Sequence, residues 1–200
     1  MWVPTYTGKR LDPFDPQRDQ IDLIDIAHAL SQICRYNGHT VRHYSVAEHC
    51  VRVSSCVPAR VCGLTLMHDA AEAYIGDMVR PIKRRPEADW YRRLDTSVTA
   101  AILHKFGLHY QLAFSTETSL LSKVDLMFVN VEMDQAGLYP EPESKPPCQE
   151  DTIKTDADRQ FCQWMFETTN QKDGNVWGWD ALTAKTRFLD RCRQLGIVNF

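Results

Sequence analysis

Residues 67–83, MHDAAEAYIGDMVRPIK, set His68 and Asp69 side by side at the head of an apolar helical run, then add Glu72, Asp77 and Lys83. A helix on a protein surface spreads its charges along one face and leaves the other apolar. Here the charges bunch toward one end, beside Gly76 and Pro81, as they do at a site rather than on a solvated face. Two expectations follow: a helical architecture, and chemistry at the end of one helix.

The neighbouring segments extend the helical reading. Ile21 to Cys34 carries Leu23, Ile26, Ala27, Leu30 and Ile33 at steps of three and four, the period of an amphipathic helix. RYNGHTVRHY then breaks the period with Asn-Gly. Ser45 opens a second helix, with Glu48 three residues on as a capping box, and Pro58 ends it. Ala59 to Ile75 reads as a third helix closed by Gly76. Further helices are predicted at 87–106, near 117–137, near 155–170 and at 179–195. The first twenty residues, with three prolines and no helical period, read as an extended arm or short β-ribbon. Residues 138–154 read as a proline-rich loop. No internal repeat and no sustained alternation is present, so the fold class expected is an all-α single domain.

Length and composition bound what that domain can be. Two hundred residues, 44% of them hydrophobic, suffice for one packed core. A net charge of -3 supplies no global basic field, which argues against duplex nucleic acid held through its phosphates. A local basic patch for one small anion remains compatible with it. The seven cysteines are odd in number and contain no C-x-x-C, so they read as reduced thiols of a cytoplasmic protein. No apolar stretch approaches the ~18–20 residues of a membrane span.

Four residues have the identities a metal site needs: His49 in SVAEHC, the His68–Asp69 doublet, and Asp125 in LLSKVDLMFVNVE. Leu121, Phe128 and Val129 lie three or four positions from Asp125 and share its helix face. A carboxylate on an apolar face needs a metal ion or an arginine as partner. Two imidazoles and two carboxylates suit divalent Zn, Mn, Co or Fe better than Ca. Glu72 lies four residues after His68 and three after Asp69, and Asp77 follows Gly76; either has the chemistry of a general acid or base. Arg35, Arg42, Arg80 and Lys83 flank these residues and would serve a phosphate. Each also has a plainer reading: a helix carboxylate in solvent for Glu72, a turn residue for Asp77, surface charges for the cations.

YSVAEH, MHDAAEAYIGDMVRPIK and KVDLMFVNVE, in that order, resemble the HD-domain phosphohydrolases over about residues 21–133. The resemblance implies a helical bundle in which His49, His68, Asp69 and Asp125 bind one divalent metal, with further divalent ions accompanying substrate phosphates. It also implies Glu72 and Asp77 as the catalytic acidic pair. ICRYNGHT resembles the substrate-holding segment of the small deoxynucleotide phosphohydrolases, the phage dATP triphosphohydrolases and bacterial 5′-deoxynucleotidases. Arg35 would then contact phosphate, Tyr36 would stack near the base or sugar, and Lys83 would bind phosphate. Many relatives carry Arg-Trp where this chain has Arg35-Tyr36. The Gly-Tyr-Pro element of the branch acting on cyclic dinucleotides is replaced by Leu138-Tyr139-Pro140. The implied reaction is hydrolysis of dATP to deoxyadenosine and triphosphate by metal-activated water at the α-phosphorus. Release of phosphate from deoxynucleoside monophosphates is the near alternative, and a non-catalytic metal- or nucleotide-binding protein the distant one. The resemblance also implies a homo-oligomer, a dimer or a hexamer.

Overall fold

The computed structural model describes residues 1–108, 116–135, 155–171 and 177–199. The chain is mostly helical in these residues, and the N-terminal arm is a short ribbon: Val3–Pro4 (β1) pairs antiparallel with Arg10–Leu11 (β2), Val3 opposite Leu11. Thr7 at its tip donates to the buried Asp25 from its backbone N–H (2.6 Å) and its hydroxyl (2.8 Å), which ties the ribbon to the first helix.

That helix, α1 (Leu23–Gln32), starts where Asp22 accepts from the N–H of Ile24. Its buried face is Leu23, Ile26, Ala27 and Leu30, as the period predicts. In α2 (Val46–Ser54) the Ser45 side chain accepts from the N–H of Glu48, 3.2 Å away. The capping box is only half formed, because the Glu48 carboxylate turns away to Arg52 and to the N–H groups of Gly178 and Trp179. α2 also ends earlier than Pro58: Ser55 and Cys56 bond back to Arg52 and Val53, closing the helix in tight turns.

The expected helix from Ala59 to Ile75 is broken into α3 (Cys62–Leu66) and α4 (Glu72–Ile75). Between them Ala70, Glu72 and Ala73 donate to carbonyls three residues back, not four. At the break the Thr65 carbonyl is engaged by His68 Nδ1 at 2.7 Å, at the His-Asp doublet where the helical ladder is interrupted. Gly76, with φ +79°, ends α4 in a conformation side chains resist. There follow α5 (Arg80–Lys83), α6 (Asp89–Lys105), α7 (Thr116–Gln135), α8 (Asp156–Gln171) and α9 (Ala181–Gln194). The proline-rich loop expected at 138–154, with Leu138-Tyr139-Pro140 in it, lies outside the described residues.

Two apolar clusters meet at α2. One joins Val46, Ala47 and Cys50 of α2 to α1, α4, α6 and α9 through Ile26, Leu30, Tyr74, Ile102 and Phe188. The other joins Val53 to Val124, Met127, Phe128 and Val131 of α7, Met165 of α8, and Trp177. Burying a side chain such as Phe128 or Met127 contributes about 1.5–3 kcal/mol, and this holds α7, with Asp125 on it, against α2. The described cysteines are all free thiols. No helix among the described residues is long and apolar enough to cross a membrane.

Candidate metal centre and its cavity

His49 projects from α2 between the two clusters and is fully buried. His68 and Asp69 come from the break after α3, and Asp125 from the middle of α7. Their inward atoms converge. His49 Nε2 lies 3.3 Å from His68 Nε2, 3.5 Å from Asp69 Oδ2 and 3.3 Å from Asp125 Oδ1. His68 Nε2 lies 3.0 Å from Asp69 Oδ2 and 3.8 Å from Asp125 Oδ1. Ligand atoms about 2.1 Å from a common ion stand about 3.0 Å apart along an octahedral edge and about 3.4 Å along a tetrahedral one. The spacing therefore fits a divalent ion.

The outer nitrogen of each ring is engaged elsewhere. His68 Nδ1 meets the Thr65 carbonyl at 2.7 Å, and His49 Nδ1 is in short contact with Glu132 Oε1. A ring that gives its Nδ1 proton to an oxygen presents an unprotonated Nε2 as ligand. His49, His68 and Asp125 could thus hold a metal ion, and so could Cys50, His68 and Asp69. The second set is the poorer one: Cys50 Sγ lies 4.0 Å from His68 Nδ1, the nitrogen already engaged, and burial pushes its thiol up to about 11.

Charge in the chain alone is balanced by protons on the rings. Burial opposes protonation of His68, but the Asp69 carboxylate overrides it and holds the ring well above its usual value. Burial likewise pushes Asp69 and Asp125 up, and the rings of His68 and His49 pull both below the carboxylate range. A divalent ion held by these residues would take over this balancing role and displace the ring protons.

Asp69 and Asp125 line a cavity of about 770 Å³ together with Arg35, Tyr36, Glu72, Asp77 and Lys83, among others. The structure therefore brings together all the residues singled out in sequence except Arg42. Arg42 is exposed and packs against Gly178, where a Cβ would come within 2.8 Å of its own. Glu72 is buried, and its Oε2 has no hydrogen-bond partner. Burial, reinforced by Asp69 and Asp77, pushes its carboxyl well above the usual range. Burial raises Asp77 as well.

Several partners escaped the sequence reading. Asp125 meets an arginine as well as the centre: Arg80 Nη2 donates to its Oδ2 at 2.8 Å. Lys83 is paired with Asp95 at 2.6 Å, and Arg84 and Arg92 line the same cavity. Arg35 reaches Asp69 at 3.6 Å and Glu132 at 3.1 Å. Glu132 is fully buried; burial alone would raise it, but Arg35 and His49 hold its carboxyl down at about 2. One signal could have found it: Glu132 stands seven residues after Asp125, two turns along the same helix face.

No family model matches the chain. Over 108 residues it is 41% identical to the uncharacterized protein YfdR of Escherichia coli (strain K12), a match covering 54% of this chain and 59% of that protein. The chain thus spans about three fifths of the length of this relative. Over 152 residues it is 33% identical to the uncharacterized protein RCAP_rcc00048 of Rhodobacter capsulatus, covering 72% of this chain and 76% of the relative. The chain belongs to the family of that Rhodobacter protein. Neither relative's name carries an activity.

Proposed function

We propose that the protein is a metal-dependent deoxynucleotide phosphohydrolase of the HD-domain kind, acting on dATP to give deoxyadenosine and triphosphate. The observation that carries this reading is that Asp69 and Asp125 each stand at 3.0–3.8 Å from both imidazoles, His49 and His68, and line a cavity that cationic side chains also line. His49, His68, Asp69 and Asp125 would hold the ion. When bound, it supplies Lewis acidity, lowering the pKa of a water from 15.7 toward about 7 and polarising a phosphoryl oxygen.

The remaining residues bind, orient and move protons. Arg35, which lines the cavity beside Asp69, neutralises the phosphate undergoing attack, and Lys83, with Arg84 and Arg92 in the same lining, meets the outer phosphates. Five cationic side chains and four carboxylates line the cavity, so a resident divalent ion leaves the wall net positive, which favours a polyphosphate. Water adds to the α-phosphorus and the bond to the 5′ oxygen breaks. Glu72, through its unpartnered Oε2, and Asp77 pass the proton from that water to the leaving 5′ oxygen.

The test is product analysis with Mn, Co or Zn added in turn to each deoxynucleoside mono- and triphosphate. Deoxyadenosine with intact triphosphate from dATP is the expected result. Inorganic phosphate from monophosphates alone would make the protein a 5′-deoxynucleotidase, and no turnover with any metal would make it a non-catalytic binding protein.

A further inference from the structure

Glu132 gathers four donors from three separate segments of chain. Its Oε2 accepts from Arg35 Nη2 at 3.1 Å and from the Tyr36 hydroxyl at 2.5 Å. Its Oε1 accepts from the Tyr44 hydroxyl at 2.7 Å and meets His49 Nδ1. Three of those four donors reach the centre or the cavity with another part of the same side chain. His49 presents Nε2 to the centre, Arg35 points Nη1 at Asp69, and the Tyr36 ring lines the wall.

The turn carrying Arg35 and Tyr36 needs such an anchor. Tyr36 and Asn37 have φ of +55° and +51°, a region side chains rarely adopt, and such strain persists only where surrounding contacts over-determine it. The bonds from Arg35 and Tyr36 to Glu132 pin the turn to α7.

We infer that Glu132 is the positioning residue of the site: one carboxylate sets the ligand ring of His49 and, through its second oxygen, clamps the Arg35–Tyr36 turn to the same centre. This rests on the metal-dependent reading above. A glutamine at 132 keeps the shape but replaces one accepting oxygen with an NH₂ group, which would face N–H and O–H donors.

The test titrates the full chain, as wild type, Glu132→Gln and Glu132→Asp, with Co(II), read by its visible absorption bands and by competition with a chromophoric chelator. Wild type is expected to bind one cobalt. Glu132→Gln should bind about 10–100-fold more weakly with shifted bands, and Glu132→Asp, which keeps the charge, should recover part of the loss. At saturating cobalt, Glu132→Gln should also raise KM for the nucleotide. A role in packing alone would lower thermal stability without moving the cobalt bands. Wild-type affinity and bands in Glu132→Gln would overturn the inference and leave the metal reading standing, whereas a wild type that binds no cobalt overturns both. If circular dichroism shows Glu132→Gln unfolded, Glu132→Asp decides: its carboxylate is one methylene short of spanning His49 and Arg35, so wild-type cobalt bands together with a wild-type KM for the nucleotide would overturn the positioning role.

Discussion

Glu48 on α2 and Glu132 on α7 are both fully buried carboxylates, yet they belong to different kinds of structure. Glu48 accepts from Arg52 Nε at 2.8 Å and from the N–H groups of Gly178 and Trp179 at 3.2 and 2.8 Å. Arg52 in turn lies over the rings of Trp177 and Trp179. These partners join α2 to the segment leading into α9, and none of them lines the metal cavity. Burial dominates there and keeps the Glu48 carboxyl above its usual value. Glu132 faces a guanidinium and an imidazole as well as two hydroxyls, and its carboxyl lies far below. A buried charge alone does not mark a site; the other ends of its partners do.

Substitutions can separate the two clusters. The largest effect is expected from His68→Ala, which removes one of four converging atoms and frees the Thr65 carbonyl. Metal affinity should fall by more than the roughly 10–100-fold typical of losing an outer partner. Metal analysis of the purified variant, with turnover at background, checks it. Glu72→Gln should keep the metal and lower turnover about 10²–10⁴-fold; a variant as fast as wild type would remove Glu72 from the chemistry. Arg52→Met attacks the other cluster. It strips Glu48 of its cation and should cost about 3–5 kcal/mol in urea denaturation, with metal stoichiometry unchanged. Loss of metal in Arg52→Met would erase the distinction between the two clusters.

How far the sequence reached follows from the range of each signal. The periods of α1, α6 and α9 are local, and their elements lie within a few residues of expectation. The break between α3 and α4 was not legible, because MHDAAEAY is a good helical sequence and the contact of His68 with the Thr65 carbonyl at the break exists only in the fold. The two halves of the centre could be singled out because histidine and aspartate are unusual on apolar helix faces. Glu132 stood in plain view but depends on Arg35, Tyr36, Tyr44 and His49, which are 83 to 97 positions away along the chain. No window along the sequence contains that cluster. The same holds for Arg80, whose partner Asp125 lies 45 positions on and gives the cation a place that its own neighbourhood does not specify.

A third carboxylate serves neither cluster and should show the smallest effect. Asp158, near the start of α8, meets Lys123 of α7 at 2.8 Å, and its Oδ2 accepts from the Thr155 N–H and hydroxyl. The Lys123 contact first, then Thr155, hold its carboxyl down at about 2. An unfolded aspartate titrates near 3.9. Because the folded value is the lower one, the contribution to stability is complete above the unfolded value and is lost as pH falls from about 4 to about 2. Asp158→Asn should therefore be less stable than wild type near neutral pH, and the gap should close as the medium is acidified through that window. Urea denaturation of both proteins across the acid range measures it. A gap that stays constant with pH would mean that the asparagine lost packing rather than charge, and metal binding should be indifferent to the change throughout.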